Sequence, residues 1–202
     1  MATPVLAHHA MGGKMPSTFF EGFMSGIAHP LIGLDHFAFI VAVGLLAATQ
    51  KQGIFIPITF VLAAMLGTGL HLASLNIPGV ELFVSGSVLL FGMLLAMKNS
   101  LNTGIVAGLS ILAGLFHGYA YGESIFGVES TPLFAYLAGF TVIQLAVSLA
   151  IFWFGNAMIV NSDNTRQLTT DKFRSVGLII CGVGLAFWSS QVVSMIFPIS
   201  AS

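Results

Sequence analysis

"HPLIGLDHFAFIVAVGLLAA", residues 29–48, decides the fold class. Its last twelve residues carry no charge, while its first eight hold two imidazoles, a carboxylate and a proline. Just upstream, "TFFE" at 18–21 reads as a capping box that starts a helix at Phe19. From there to Ala48 the helix would be ~45 Å long, against a hydrocarbon core of ~30 Å. A segment of that length must bend, tilt or begin outside the membrane. Pro30 is the expected break, because it lacks an N–H and its ring clashes with the Gly26 carbonyl.

The rest of the chain has the same character. Of 202 residues, 56% are hydrophobic and only 6% charged, with a mean hydropathy of +0.98. Thirteen charged residues cannot cover a water-soluble globule of this size. The expected class is an all-α, polytopic membrane helical bundle forming a single domain over 19–202, preceded by an extracytoplasmic segment, 1–18. A net charge of −1 without a basic stripe argues against nucleic acid as a partner. The one cysteine, Cys181, excludes an internal disulfide and reads as packing. "MATPVLA" resembles the tail of a secretory signal, so a mature chain is expected to begin near "HHAMGGK".

Six apolar segments are long enough to span: 19–48, 54–74, 80–97, 101–121, 133–155 and 176–197. Short turn-rich connectors join them, apart from one polar stretch, "NSDNTRQLTTDKFR" at 161–174, read as a loop. Lys51, Lys98, Arg166, Lys172 and Arg174 fall after the first, third and fifth segments, and Lys14 alone lies on the other side. The positive-inside rule then puts the first set in the cytoplasm and both termini outside. "GFMSG" (22–26), "GIVAG" (104–108) and "GYAYG" (118–122) have the spacing of close helix contacts.

That topology gathers all six histidines on the outer side: His8, His9, His29, His36, His71 and His117. Asp35, Glu81 and Glu123 join them, while Glu21 is explained by capping and Glu129 by a solvated loop. Burying Asp35 at lipid depth costs about 2.5–3.5 kcal/mol on insertion scales, and a bound cation would offset that. Imidazole with carboxylate is the ligand set of divalent first-row ions. His29 and His36 lie seven residues apart, ~10.5 Å along a straight helix, so a kink is needed to bring them to one ion. Without one, one of the three side chains is a relay rather than a ligand.

These residues resemble the signature of the HupE/UreJ family, bacterial membrane proteins associated with nickel or cobalt uptake. The match is carried by His29, Pro30, Gly33, Asp35 and His36, with "GLFHGYAYGES" (His117, Gly118, Gly122, Glu123) and "PGVELFVSGSVLLFG" (Glu81) as further stretches. The resemblance implies metal permeation through the bundle. The expected route has His8 and His9 capturing Ni2+ or Co2+ outside, then a buried site of His29, Asp35 and His36. His117 and Glu123 complete that site, with His71 and Glu81 nearby as further ligands or entrance charges. No ATP is expected to be hydrolysed, as no phosphate-binding loop is present, and no catalytic cofactor is expected. The expected partners are the ion and the lipid bilayer of the cytoplasmic membrane. The rival reading is an intramembrane metal-dependent hydrolase, with Ser25 or Ser124 as accessory groups, against which stands the lack of an H-E-x-x-H pair. A metal sensor ranks last, for want of a soluble output domain.

Overall fold

The computed structural model describes residues 15–97, 101–160 and 166–197, without the side chains of 166–170. The described residues form seven helices: α1 (Phe19–Ile32), α2 (Leu34–Ala48), α3 (Phe55–Leu72), α4 (Val80–Ala96), α5 (Thr103–Glu123), α6 (Ser130–Val160) and α7 (Arg166–Ile196). No strand occurs among the described residues. The start of α1 is the expected capping box: Thr18 Oγ1 accepts the Glu21 amide at 3.2 Å, and Glu21 Oε2 accepts the Thr18 amide at 3.2 Å.

The break in the first span lies at Gly33, not at the expected Pro30. Pro30 sits inside α1, close enough to its end that the missing N–H costs one hydrogen bond without stopping the helix. The chain turns instead at Gly33 (φ −67°, ψ 101°), and the axes of α1 and α2 differ by 77°. Glycine is needed there by proximity rather than by φ. A Cβ would approach His36 Cδ2 to 2.9 Å and Asp35 Oδ1 to 3.3 Å, because both side chains fold back over the turn.

Glycines set the helix pairing. Gly22 lies against Pro132, Gly26 against Tyr136 and Gly44 against Ser148, so the broken pair α1–α2 runs parallel to α6. Gly114 meets Phe60, Gly118 meets Ala64 and Gly122 meets His71, so α3 and α5 are also parallel. Between α4 and α7 the order reverses: Trp188 reaches Gly86, Leu89 meets Gly184 and Ala96 meets Gly177. Counting α1–α2 as one pass, successive passes alternate in direction. Among the described residues, four helices are long and apolar enough to cross a membrane, and the broken pair taken as one span gives a fifth. At 17 residues α4 is the short one, ~25 Å against a core of ~30 Å.

Two of the three expected glycine contacts form. "GIVAG" does not, since a Cβ on Gly108 would meet nothing within 4 Å and one on Gly104 would meet only the Asn102 side chain, at 3.2 Å. Both residues face outward. Gly118→Ala, which drives a methyl into the Ala64 backbone, should destabilise the bundle by about 1–3 kcal/mol. Gly108→Ala should instead gain up to about 1 kcal/mol from helix propensity. Thermal unfolding of the two variants in detergent separates these outcomes.

The polar stretch expected as a loop over 161–174 is helical from Arg166 onward. Two side chains explain this. Phe173 is buried in the core beside Gly155, and Arg174 Nε donates to the Ala96 carbonyl at 3.1 Å, capping the C-terminal end of α4. Cys181 packs at the α4–α7 crossing against Gly92. The core proper surrounds α2, where Phe39 is in ring contact with Phe60 at 5.3 Å and with Phe91 at 4.6 Å. Outward faces carry Leu62, Leu66, Phe134, Trp153, Phe154, Leu178 and Ile179, all exposed. In water such a surface would aggregate; it is the surface expected against lipid acyl chains. The chain is a multi-pass helical membrane protein.

The described basic residues gather at one end, where Asp171 pairs with Arg174 at 3.6 Å. Gln50 accepts from Thr103 Oγ1 at 2.9 Å, and Arg174 caps α4, so Lys51 and Arg174 share one end. Glu81 opens α4 and Glu123 closes α5 at the other.

Candidate metal centre

The elbow at Gly33 brings the histidines of the opening motif together. His29 comes from the last turn of α1, and Asp35 and His36 from the first turn of α2. All three are buried, Asp35 to 2% exposure. A straight helix would separate the two imidazoles along its axis; here their ring centroids are 5.8 Å apart. Helix α5 adds His117, which is fully buried (0% exposed), and the Nδ1 atoms of His36 and His117 lie 2.9 Å apart. A file of three rings results, His29–His36–His117.

Neighbouring helices hold both ends of the file. His29 Nδ1 is 3.0 Å from the Tyr136 hydroxyl on α6 and 3.2 Å from Ser124 Oγ after α5. His117 Nε2 is 2.9 Å from Ser87 Oγ on α4. Ser87 has one hydroxyl hydrogen, which it donates to the Val84 carbonyl at 2.7 Å, so it accepts from His117 Nε2–H. Neutral His117 then carries its lone pair on Nδ1 and accepts from His36 Nδ1–H. Aromatic rings wall the file: Tyr121 stands 5.0 Å from His29 and 4.4 Å from His36, and Phe39 4.2 Å from His117.

Asp35 sits at the N-terminus of α2, where Oδ1 accepts the His36 amide at 2.9 Å. The positive end of the helix dipole partly balances its charge. Asp35 and Glu123 are both near enough to Glu81 to repel it electrostatically. Three carboxylates thus crowd one end of the bundle, and the described Lys and Arg residues lie at the other. Among the described residues, however, no three His, Cys, Asp or Glu side chains stand close enough together to hold one ion as they are. The His36 and His117 nitrogens face each other, and one Asp35 oxygen faces an amide.

Of the remaining expected site residues, His71 lies apart. It is in the last turn of α3, its ring 4.6 Å from Tyr119 and 5.5 Å from Phe126. At 100° per residue, Tyr119 lies ~160° round α5 from both His117 and Tyr121, and Phe126 belongs to the turn after α5. His8 and His9 fall outside the described residues. The sequence reading did not single out Tyr121, Tyr136 or Ser87. Tyr121 was within reach of it, one turn after His117 in "HGYAY", whereas nothing local marks Tyr136, which reaches His29 only through the α1–α6 pairing.

A multi-pass helical bundle with a buried imidazole file and a carboxylate mouth has the features of a metal-handling membrane protein. The comparisons give the family. The HupE / UreJ protein family pattern matches residues 1–187, and the chain belongs to that family. It is 32% identical over 164 residues to Protein HupE of Rhizobium leguminosarum bv. viciae, covering 78% of this chain and 82% of that one. No solved structure matches. The family is generally associated with nickel and cobalt transport, as transporters or accessory proteins rather than enzymes.

Proposed function

We propose that this protein is an uptake permease for Ni2+ or Co2+ in the bacterial cytoplasmic membrane, with its carboxylate end outward. The observation that carries the reading is the buried His36–His117 contact at 2.9 Å, beside Asp35 and His29. Two nitrogens bound at right angles to one ion, each at about 2.1 Å, are about 3.0 Å apart. The pair is therefore spaced as one edge of an octahedral or square-planar site. A small ring rotation that aims both lone pairs at one point replaces the shared proton with an ion.

Glu81 and Glu123 draw the hydrated cation to the mouth, with His71 beside them and His8 and His9 ahead. Asp35 supplies the formal charge that makes a dication tolerable at that depth, and His29, held by Tyr136 and Ser124, gives a third nitrogen. The ion is cargo; no resident cofactor, nucleotide or catalysis is invoked. Facilitated diffusion down the membrane potential suffices, at ~2.3 kcal/mol per charge per 100 mV.

Uptake of radiolabelled Ni2+ and Co2+ by cells expressing the chain, each in competition with the other, tests this reading. Saturable uptake that collapses with the potential supports it, and no uptake above vector controls refutes it. Imidazole ligates only when neutral, so initial rates should fall once external pH is low enough to protonate the imidazoles, and recover on return. One contact keeps the hydrolase reading in view, Ser124 Oγ at 3.2 Å from His29 Nδ1. The Tyr121 carbonyl, which accepts from the same hydroxyl at 2.9 Å, competes with His29 for that proton. Peptide or lipid turnover by purified protein would revive that alternative.

A further inference from the structure

One buried polar group takes no part in the imidazole file. Gln144 lies on α6 two turns beyond Tyr136, ~12 Å further along the axis, and is fully buried (0% exposed). Its Nε2 donates to the Phe140 carbonyl of its own helix at 3.4 Å. That contact sets the amide's orientation, because the reversed amide would place two oxygens together. Oε1 is left with no hydrogen-bond partner among the described residues. Ser148, one turn on, does not supply one: its hydroxyl donates to the Gln144 backbone carbonyl at 2.5 Å.

The surroundings give that oxygen a use. Along α6, the stripe Tyr136–Phe140–Gln144–Ser148 faces the broken span, with Gly26 against Tyr136 and Phe140, and Gly44 against Ser148. Gln144 falls between these two contacts along α6. The same stripe begins at the Tyr136 hydroxyl, 3.0 Å from His29 Nδ1. A neutral amide oxygen is also suited to a transit point, since conduction requires a hold weak enough to release.

We propose that Gln144 is an inner oxygen station for the transported dication: Oε1 ligates the ion once it has left the imidazoles, one step inward along α6. The proposal rests on the transport reading, and its test separates the two. Full-length protein is reconstituted in proteoliposomes and ⁶³Ni²⁺ flux is measured, together with ⁶³Ni²⁺ binding to the purified protein and its Tm. Gln144→Leu is expected to lower flux at least tenfold, leave binding at the imidazole file unchanged, and hold or raise Tm. The last follows because an apolar side chain of similar size removes an unsatisfied buried amide. Gln144→Asn keeps the carboxamide but draws it back by one methylene, and should fall between Leu and wild type.

Wild-type flux in Gln144→Leu overturns the proposal, as does loss of flux accompanied by a lower Tm, which marks a structural role. An Asn variant no better than Leu also overturns it, because the oxygen would then not be the operative group. Lost binding in Gln144→Leu would make Gln144 part of the outer site and overturn a separate station. Failure of the transport reading looks different: wild-type proteoliposomes would then carry no ion.

Discussion

Uptake of Ni2+ or Co2+ is expected to fall about a hundredfold when either His36 or His117 is replaced by leucine. Each substitution removes one nitrogen of the 2.9 Å pair and leaves the other imidazole buried without it. The single variants should therefore lose stability as well, by about 1–3 kcal/mol for the stranded polar group. The double variant His36→Leu/His117→Leu separates the two effects. Replacing both partners by apolar groups is close to neutral for folding, so Tm should recover toward wild type while uptake stays lost. Because the two rings act as a unit, the double variant should transport no worse than either single one. Recovery of uptake together with Tm would mean that the pair serves packing alone.

Asp35→Asn is the second large effect, an expected loss of uptake of about a hundredfold or more with the fold intact. Asparagine can keep the hydrogen bond that Asp35 Oδ1 accepts from the His36 amide, and it nearly matches the side chain in shape. What disappears is the formal negative charge, buried at 2% exposure beside the imidazole file. Without it a dication would enter this depth opposed by little but neutral ligands. Glu81→Gln at the mouth should have a milder effect, raising the concentration for half-maximal uptake without abolishing the maximal rate. Asp35→Asn with wild-type uptake would remove this carboxylate from the site.

Much of this was readable from the chain itself. The capping box at Thr18–Glu21 set the start of α1, the apolar runs located the helices, and the basic residues sorted the two ends. The carboxylate and imidazole side chains of "HPLIGLDH" could be assigned to one neighbourhood because a broken helix was the only way to shorten their separation. Where it broke was less legible. Proline is the stronger local signal, but the turn also depends on Asp35 and His36 folding back over residue 33, which only a glycine there permits. Long-range pairing left no local mark at all. Tyr136 and Gln144 look like any polar residues in an apolar helix until α6 is laid parallel to α1–α2. Arg166 to Arg174 read as a loop because its polarity outweighed one apolar anchor, Phe173.

The central claim, that the buried imidazoles bind the transported ion, is tested most directly by X-ray absorption spectroscopy of purified protein loaded with stoichiometric Ni2+. The account predicts a nitrogen and oxygen first shell with outer-shell scattering from imidazole rings, which His36→Leu/His117→Leu abolishes. A spectrum matching the fully hydrated ion, or one unchanged in that double variant, would contradict it.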